Sequence, residues 1–396
     1  MTGNMHEMPF EFGIPTHVHF GVGLTRQLGS LLHAHGHKSV AICTDGAIQK
    51  AGILAQVEES LRSANVKYTI YGDVKRNPDI TTVVDARRKC GGTEYDCIIG
   101  VGGGGPIDVA KALSVALTHD GDIRDYVAYT TGQRRHITDA VLPVMAVPTV
   151  AGAGAEVSPV AVIVDEEIQV KVGLFSRGLF PQSAFVDPAL ATSLPPQATA
   201  SSGMDVFAHA FDALISRRSN PLSESLAIGA MKRVFTYLPY AVWQGDNLEA
   251  RGAMASAAIM ALMAIYLGQG GAVHTIGEPL GTIYDIPHGY ACAIALPAMM
   301  RFVAPVCEEP LSCIGQIAKP IATTVQNGGN SSQESVERVI RLMKDVALPT
   351  PRSAVPNPDI DALATASMNH LAVDRVPMTI TKEHYTALYE EIFSEE

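Results

Sequence analysis

The segment Tyr95 to Lys111, YDCIIGVGGGGPIDVAK, constrains this chain more than any other. An apolar run of strand character enters Gly102, Gly103, Gly104 and Gly105, and Pro106 then stands in the first turn of a helix with Asp108 close behind. Glycine lacks a Cβ, so its backbone can approach a diphosphate closely, and the positive end of the following helix favours the negative charge. The segment reads as a strand–glycine–helix phosphate cradle, or else as a plain tight turn. It is neither a Walker A loop, since no Gly-Lys-Ser/Thr follows, nor the spaced GxGxxG of the common dinucleotide fold. A second glycine-rich run, AVPTVAGAGAEVS, follows another apolar strand and offers Thr149 at the end where ligands of open α/β sheets collect.

From Lys38 to about Asp187 short β-branched runs (SVAICTD, KYTIYGD, YDCIIGVGG, LPVMAVPT) alternate with helix-like segments such as QKAGILAQVEESLRSAN and TTVVDARRKCGG. That alternation implies parallel strands joined by helices, a doubly wound α/β domain. Beyond DPALATSLPPQATASSG, strand signals nearly vanish and Ala/Leu/Met-rich segments take over from Met204, so the second half is expected to be all-helical. The boundary is placed at Pro195–Pro196, where two prolines should interrupt regular structure, giving domains 1–194 and 195–396. Asn327–Ser332, NGGNSS, is expected to be a surface loop. Gly252–Leu267 is apolar but short of the roughly 20 residues of a bilayer span, and is read as a buried helix.

With 47% hydrophobic and 17% charged residues over 396 positions, the chain can bury large cores. A formal charge of −11 with no dense Lys/Arg stripe argues against nucleic acid as a partner. Six scattered cysteines without a CxxC pair read as reduced thiols. The first residues, MTGNMHEMPF, carry no basic flank before an apolar run, so a cytoplasmic protein is expected.

Two further features carry chemistry. Asp45, directly after the first strand of the alternation, is placed either to accept hydrogen bonds from an adenosine ribose, favouring NAD over NADP, or to cap the helix behind it. In GMDVFAHAFDA, Asp205 and His209 stand four apart, on one face of a helix, and His274 and His288 follow in HTIGEPLGTIYDIPHG. Singly, each is as compatible with a cap or a hydrogen-bonded core histidine. Together, one carboxylate and three imidazoles form a mixed N/O set suited to Fe(II) or Zn(II) rather than to Ca or Mg. Such a metal polarises an alcohol or carbonyl oxygen while hydride moves to or from a nicotinamide.

At these motifs the chain resembles the iron-containing, or group III, alcohol dehydrogenases along nearly its whole length. GGGGPIDVAK is similar to that family's GGGSxxDxAK loop, PTVAGAGAEVS to its PTTxGTGSEVT, and GMDVFAHAFDA and HTIGEPLGTIYDIPHG to its metal-binding segments. The resemblance implies metal ligation by Asp205, His209, His274 and His288. It implies cofactor contacts at Gly102, Gly103, Gly104, Gly105, Asp108 and Thr149, ribose selection by Asp45, Asn77 lining the cofactor site and Lys171 reaching the nicotinamide side. Gly105, Val150 and Asp212 depart from the family's Ser, Thr and Glu, with expected effects on affinity or local packing. Glu278 stands where most members have a second histidine, and it either relays a proton, orients His274 or caps a turn, or selects a charged substrate. The activity implied is an NAD-linked, metal-dependent interconversion of a small alcohol and its carbonyl partner by a homo-oligomer away from membranes. Three alternatives stand beside it: a metal-independent reductase resembling maleylacetate reductases, a cyclase resembling dehydroquinate synthases, and a non-catalytic NAD-binding scaffold.

Overall fold

The computed structural model describes residues 9–128, 134–168, 170–317 and 332–394. These fall into two compact units, Gly13–Ser193 and Leu194–Glu396, the second taking in the N-terminal segment that ends at Phe12.

Among the described residues of the first unit there are eight strands: β1 (His17–Phe20), β2 (Ser39–Cys43), β3 (Lys67–Tyr71), β4 (Cys97–Gly102), β5 (Val144–Pro148), β6 (Val160–Asp165), β7 (Val170–Phe175) and β8 (Ser183–Val186). Six of them form a parallel sheet in the order β1-β8-β5-β4-β2-β3, and β6 and β7 pair as a separate antiparallel hairpin. Side chains of successive strand residues point to opposite faces. Val40, Ile42, Ile99 and Val101 accordingly join Val57 and Leu61 of the helix Ile53–Ser63 in one core. Ala41, Cys43 and Ile98 join Ala86, Cys90, Val109 and Leu113 of the helices Ile80–Cys90 and Gly104–Thr118 in another. Helices on both faces explain why these strands read as unbroken apolar runs rather than alternating ones. Each fully buried Ile or Val contributes about 1.5–3 kcal/mol.

The strands β1 and β8 escape the sequence pattern because each is only four residues long and β1 is partly exposed. The edge strand β1 begins HVHF, two of whose four residues are histidines.

The second unit is helical. Pro195 and Pro196 do not merely interrupt: their fixed φ suits a helix start, and Pro196 opens the helix Pro196–Leu214. The apolar stretch lies in the helix Leu248–Gly268, which at 21 residues exceeds the sequence expectation and is the one described helix long and apolar enough to cross a membrane. Half of its apolar window is buried against the protein, and the buried Arg251 guanidinium bonds Thr199 Oγ1 and the carbonyls of Leu194 and Gly245. Such a helix is a core element. Asn327–Ser331 of the expected surface loop lie outside the described residues, and Ser332 begins the helix Ser332–Asp345.

Candidate active site

In the α/β unit, β4 delivers the chain into Gly102, whose φ of 148° L side chains rarely adopt, and a Cβ there would stand 2.6 Å from Pro106 Cγ. Glycine is thus required before the turn is complete. Gly103 is the N-cap of the helix Gly104–Thr118, with no side chain bonded across it. Around this turn lie two segments. Val150 Cγ2 is 3.7 Å from where a Gly103 Cβ would project, and the loop carrying Asn77 brings Pro78 and the Lys75 carbonyl beside Gly105. Thr149, at the end of β5, donates its N–H to the Gly102 carbonyl. Its hydroxyl is buried without a hydrogen-bond partner among the described residues, an arrangement that suits a ligand oxygen.

Behind the loop, Lys111 is fully buried and its ammonium donates to the carbonyls of Ala155, Ser158 and Val160, at 2.7, 2.8 and 2.8 Å. Asp108 lies 4.0 Å from Lys111 Nζ. Burial raises the Asp108 pKa, with Lys111, the Val162 N–H and Lys171 pulling it down. Lys171 sits on β7 in register with Val164. Asp45 caps the helix Gly46–Lys50, its Oδ1 accepting from Ala47 N–H and Ile48 N–H at 2.8 and 3.0 Å. Of the two sequence readings for Asp45, capping is the one this geometry displays.

In the helical unit, Asp205, His209 and Asp212 follow at spacings of four and three on the helix Pro196–Leu214, so one face presents all three, all buried. His274 opens the helix His274–Tyr284 and His288 the helix His288–Val303. Asp205 Oδ1 is the hub: it stands 3.8 Å from His209 Nδ1, 3.9 Å from His274 Nε2 and 3.6 Å from His288 Nε2. The rings of His209 and His274 lie 4.6 Å apart, those of His274 and His288 5.4 Å. His209 Nδ1 and His274 Nε2 are buried and have no hydrogen-bond partner among the described residues. Buried imidazole nitrogens aimed at one carboxylate oxygen are costly unless something completes them, and a divalent cation does so. The donor set therefore fits the metal expected from the sequence.

Asp212 does more than pack. Its Oδ1 accepts the Val273 N–H and its Oδ2 bonds His274 Nδ1 at 2.7 Å, which fixes the ring and leaves Nε2 as the metal-facing nitrogen. Burial lowers the His209 pKa, keeping that imidazole neutral.

The structure adds two residues that sequence reasoning passed over. Glu278 Oε2 is 2.6 Å from His370 Nε2, and His370 Nδ1 accepts the Ala372 N–H, so the proton between His370 and Glu278 belongs to Nε2. An imidazole thus reaches position 278 from a distant stretch of chain, which no local spacing announces. Cys292 is the second. The ligating atoms of Asp205, His274, His288 and Cys292 all lie within 4.8 Å of one another, a tighter group that does not include His209. One helical turn separates His288 from Cys292, the same spacing that drew attention to Asp205 and His209, so this signal was legible.

Comparison with known proteins gives the same family for both units. Residues 15–188 match the iron-containing alcohol dehydrogenase family model, and residues 199–393 match the C-terminal model of the Fe-containing alcohol dehydrogenase family. The chain is 31% identical to the 1,3-propanediol dehydrogenase of Klebsiella pneumoniae, over 86% of this chain and 87% of that protein. It is 30% identical to the NAD-dependent methanol dehydrogenase of Bacillus methanolicus, over 93% and 96%. Among solved structures, a 1,3-propanediol oxidoreductase superposes with a TM-score of 0.91 at 28% identity, covering 98% of this chain and all of that one. A sulfoacetaldehyde reductase from Bifidobacterium kashiwanohense, solved with NAD+, gives 0.86 at 27% identity over 98% and 100%. From its two-unit architecture, its converged metal donors and these matches, the chain belongs to the iron-containing alcohol dehydrogenase family, metal-dependent oxidoreductases acting on CH–OH groups.

Proposed function

We propose that this protein interconverts a small alcohol and its aldehyde or ketone with NAD(H), using a divalent metal held by Asp205, His274 and His288 with His209 beside them. The observation that carries the reading is the convergence of three imidazoles within 4 Å of one carboxylate oxygen, two of their nitrogens buried and otherwise unpartnered. When bound, the metal supplies Lewis acidity toward the substrate oxygen, Fe(II) and Zn(II) both suiting the donors. NAD supplies the hydride acceptor.

The chain's own residues do the rest. Gly102 to Gly105 and the buried Thr149 hydroxyl receive the diphosphate, with Asn77 and Val150 bounding it. Both cap bonds of Asp45 end on Oδ1, and its other oxygen accepts from the ribose hydroxyls, which selects NAD over NADP. Lys171, on the hairpin, orients the nicotinamide end. Glu278 takes the proton lost in alcohol oxidation on its carboxylate, which the His370 Nε2–H holds in place. Cytoplasmic location and a homo-oligomeric state complete the reading. Six free thiols, five of them buried, support the first, and the family resemblance supports the second.

The test is an NADH-oxidation assay over small aldehydes before and after chelation, with elemental analysis of anaerobically purified protein. Activity that disappears on chelation, returns with Fe(II) or Zn(II), and is absent in Asp205→Ala is expected. Turnover undiminished by chelation and by Asp205→Ala would overturn the reading in favour of a metal-independent reductase.

A further inference from the structure

The fold holds Glu278 and its imidazole partner in place from two sides. The buried Tyr389 hydroxyl donates to the Ile276 carbonyl at 3.1 Å and lies 2.8 Å from Ser367 Oγ, which fastens the end of the helix Ile360–Met368 to the helix His274–Tyr284. His370, two residues past that end, thereby stands opposite Glu278, with Nε2 2.6 Å from Oε2. Its Nδ1 accepts the Ala372 N–H at 3.1 Å, so this nitrogen keeps its lone pair and the ring carries one proton, on Nε2. The imidazole is a neutral donor. It orients the Glu278 carboxylate without cancelling its charge, and the pair as a whole stays anionic.

That negative charge is surplus to the metal donors. His209, His274 and His288 ligate as neutral rings, so the carboxylates of Asp205 and Asp212 already balance a divalent ion, and Glu278 leaves the cluster with an excess of negative charge. Glu278 follows His274 by one helical turn, which puts the two Cβ atoms roughly 5–6 Å apart on one face. Burial lowers the His209 pKa while the charges of Asp205, Asp212 and Glu278 oppose it, so the field of Glu278 reaches the donors. This side of the cluster is also open. The side chains of Glu278, His370 and His288 are 22%, 15% and 26% exposed, which lets a small solute touch them.

We propose that Glu278 selects the substrate by charge, favouring a short alcohol that ends in an ammonium group over a neutral alcohol, and disfavouring a hydroxy acid. The inference rests on the dehydrogenase reading above and names its substrate class. An extended O–C–C–C–N chain, four bonds of about 1.5 Å, spans roughly 5 Å, which matches the separation of positions 274 and 278 along their helix. With the hydroxyl at the donor cluster, the ammonium of such a chain makes a charge-assisted hydrogen bond to the Glu278 carboxylate. A carboxylate in its place meets like charge. Proton acceptance and charge selection both call for the ionised form of Glu278, so one side chain serves both.

The experiment follows NAD+ reduction by the metal-loaded, full-length protein with 3-aminopropan-1-ol, butan-1-ol and 4-hydroxybutanoate, which share a hydroxypropyl frame and end in an ammonium, a methyl and a carboxylate. Relative to butan-1-ol, kcat/KM is expected to be about tenfold higher for the amino alcohol, as for one charge-assisted hydrogen bond, and about tenfold lower for the hydroxy acid. In Glu278→Gln all three slow, because the proton acceptor is lost, and their ratios collapse to within about twofold. His370→Gln, whose amide still donates and leaves the charge in place, keeps the order. Thermal unfolding shows whether each variant is folded and supplies a second readout. At equal concentration 3-aminopropan-1-ol raises the Tm of the metal-loaded parent more than butan-1-ol does, and the two act alike on Glu278→Gln. A parent without preference for the amino alcohol, or a preference that survives Glu278→Gln in both readouts, overturns the charge selection and leaves the dehydrogenase standing. A folded, metal-loaded protein that turns over none of the three, and oxidises no NADH with small aldehydes, overturns the dehydrogenase itself and the selection with it.

Discussion

Gly289→Ala is a sharp test of how the metal donors are held. Gly289 follows His288, and its helix lies directly on the helix that carries Asp205. A Cβ at position 289 would stand 2.3 Å from the Ser201 carbonyl oxygen and 2.9 Å from Asp205 Cβ. Carbon atoms in contact rest about 3.5–4.0 Å apart, so the two helices must separate by roughly 1 Å to admit one methyl group. Metal–ligand bonds tolerate deviations of only about 0.2 Å, so that shift takes His288 out of range of an ion held by Asp205. Overpacking alone costs about 1–3 kcal/mol, and the two effects separate cleanly. Thermal unfolding of the chelated variant measures the first. The added stability on titrating zinc measures the second, since a ligand at one hundred times its Kd stabilises by about 2.7 kcal/mol. The variant is expected to fold with a lowered Tm and to lose most of the zinc-dependent increment. A Gly289→Ala protein whose zinc affinity stays within twofold of the parent would refute the claim that these backbones set the ligand positions.

Three further outcomes follow from the same geometry. Asp212→Asn keeps the shape but weakens the acceptor at His274 Nδ1, and zinc affinity measured by competition with a chromogenic chelator should fall about 10–100-fold. Thr149→Val removes a buried hydroxyl with no partner among the described residues, so Tm should hold or rise, while NADH binding followed by fluorescence should weaken roughly fivefold to tenfold; unchanged binding would make Thr149 a packing residue. Burial raises the Glu156 pKa from 4.5 to about 7, against the opposing pull of a backbone hydrogen bond and of Lys111. The folded state therefore holds this proton where the unfolded chain releases it, and stability falls as pH rises from about 4.5 through about 7, by at most about 1.4 kcal/mol per pH unit. Denaturant unfolding of Glu156→Gln across that window should show a shallower fall, and parallel curves would refute the assignment.

Much of this arrangement is written in short spacings. The three apolar runs β2, β4 and β5 and the glycine turn are local signals, because a strand buried on both faces and a turn at φ 148° each restrict residue type directly. The pairs Asp205/His209 and His288/Cys292 are equally local, one helical turn each, although only the first was read as a pair of donors. What stayed hidden is long-range. Asp212 looks like a packing substitution until His274, far along the chain, is seen bonded to it. His370 reaches Glu278 from a stretch with no motif of its own. The strands β1 and β8 pair with each other across most of the α/β unit, and four residues apiece carry too little pattern to announce it.

The ammonium of Lys111, enclosed by three carbonyl oxygens, also makes the α/β unit self-reporting. An amine-reactive label has no route to this side chain while the segment from Ala155 to Val160 stays latched over it. Any modification found there by mass spectrometry marks a molecule in which that latch had sprung, so the labelling rate at one lysine times the breathing of the segment that follows Thr149.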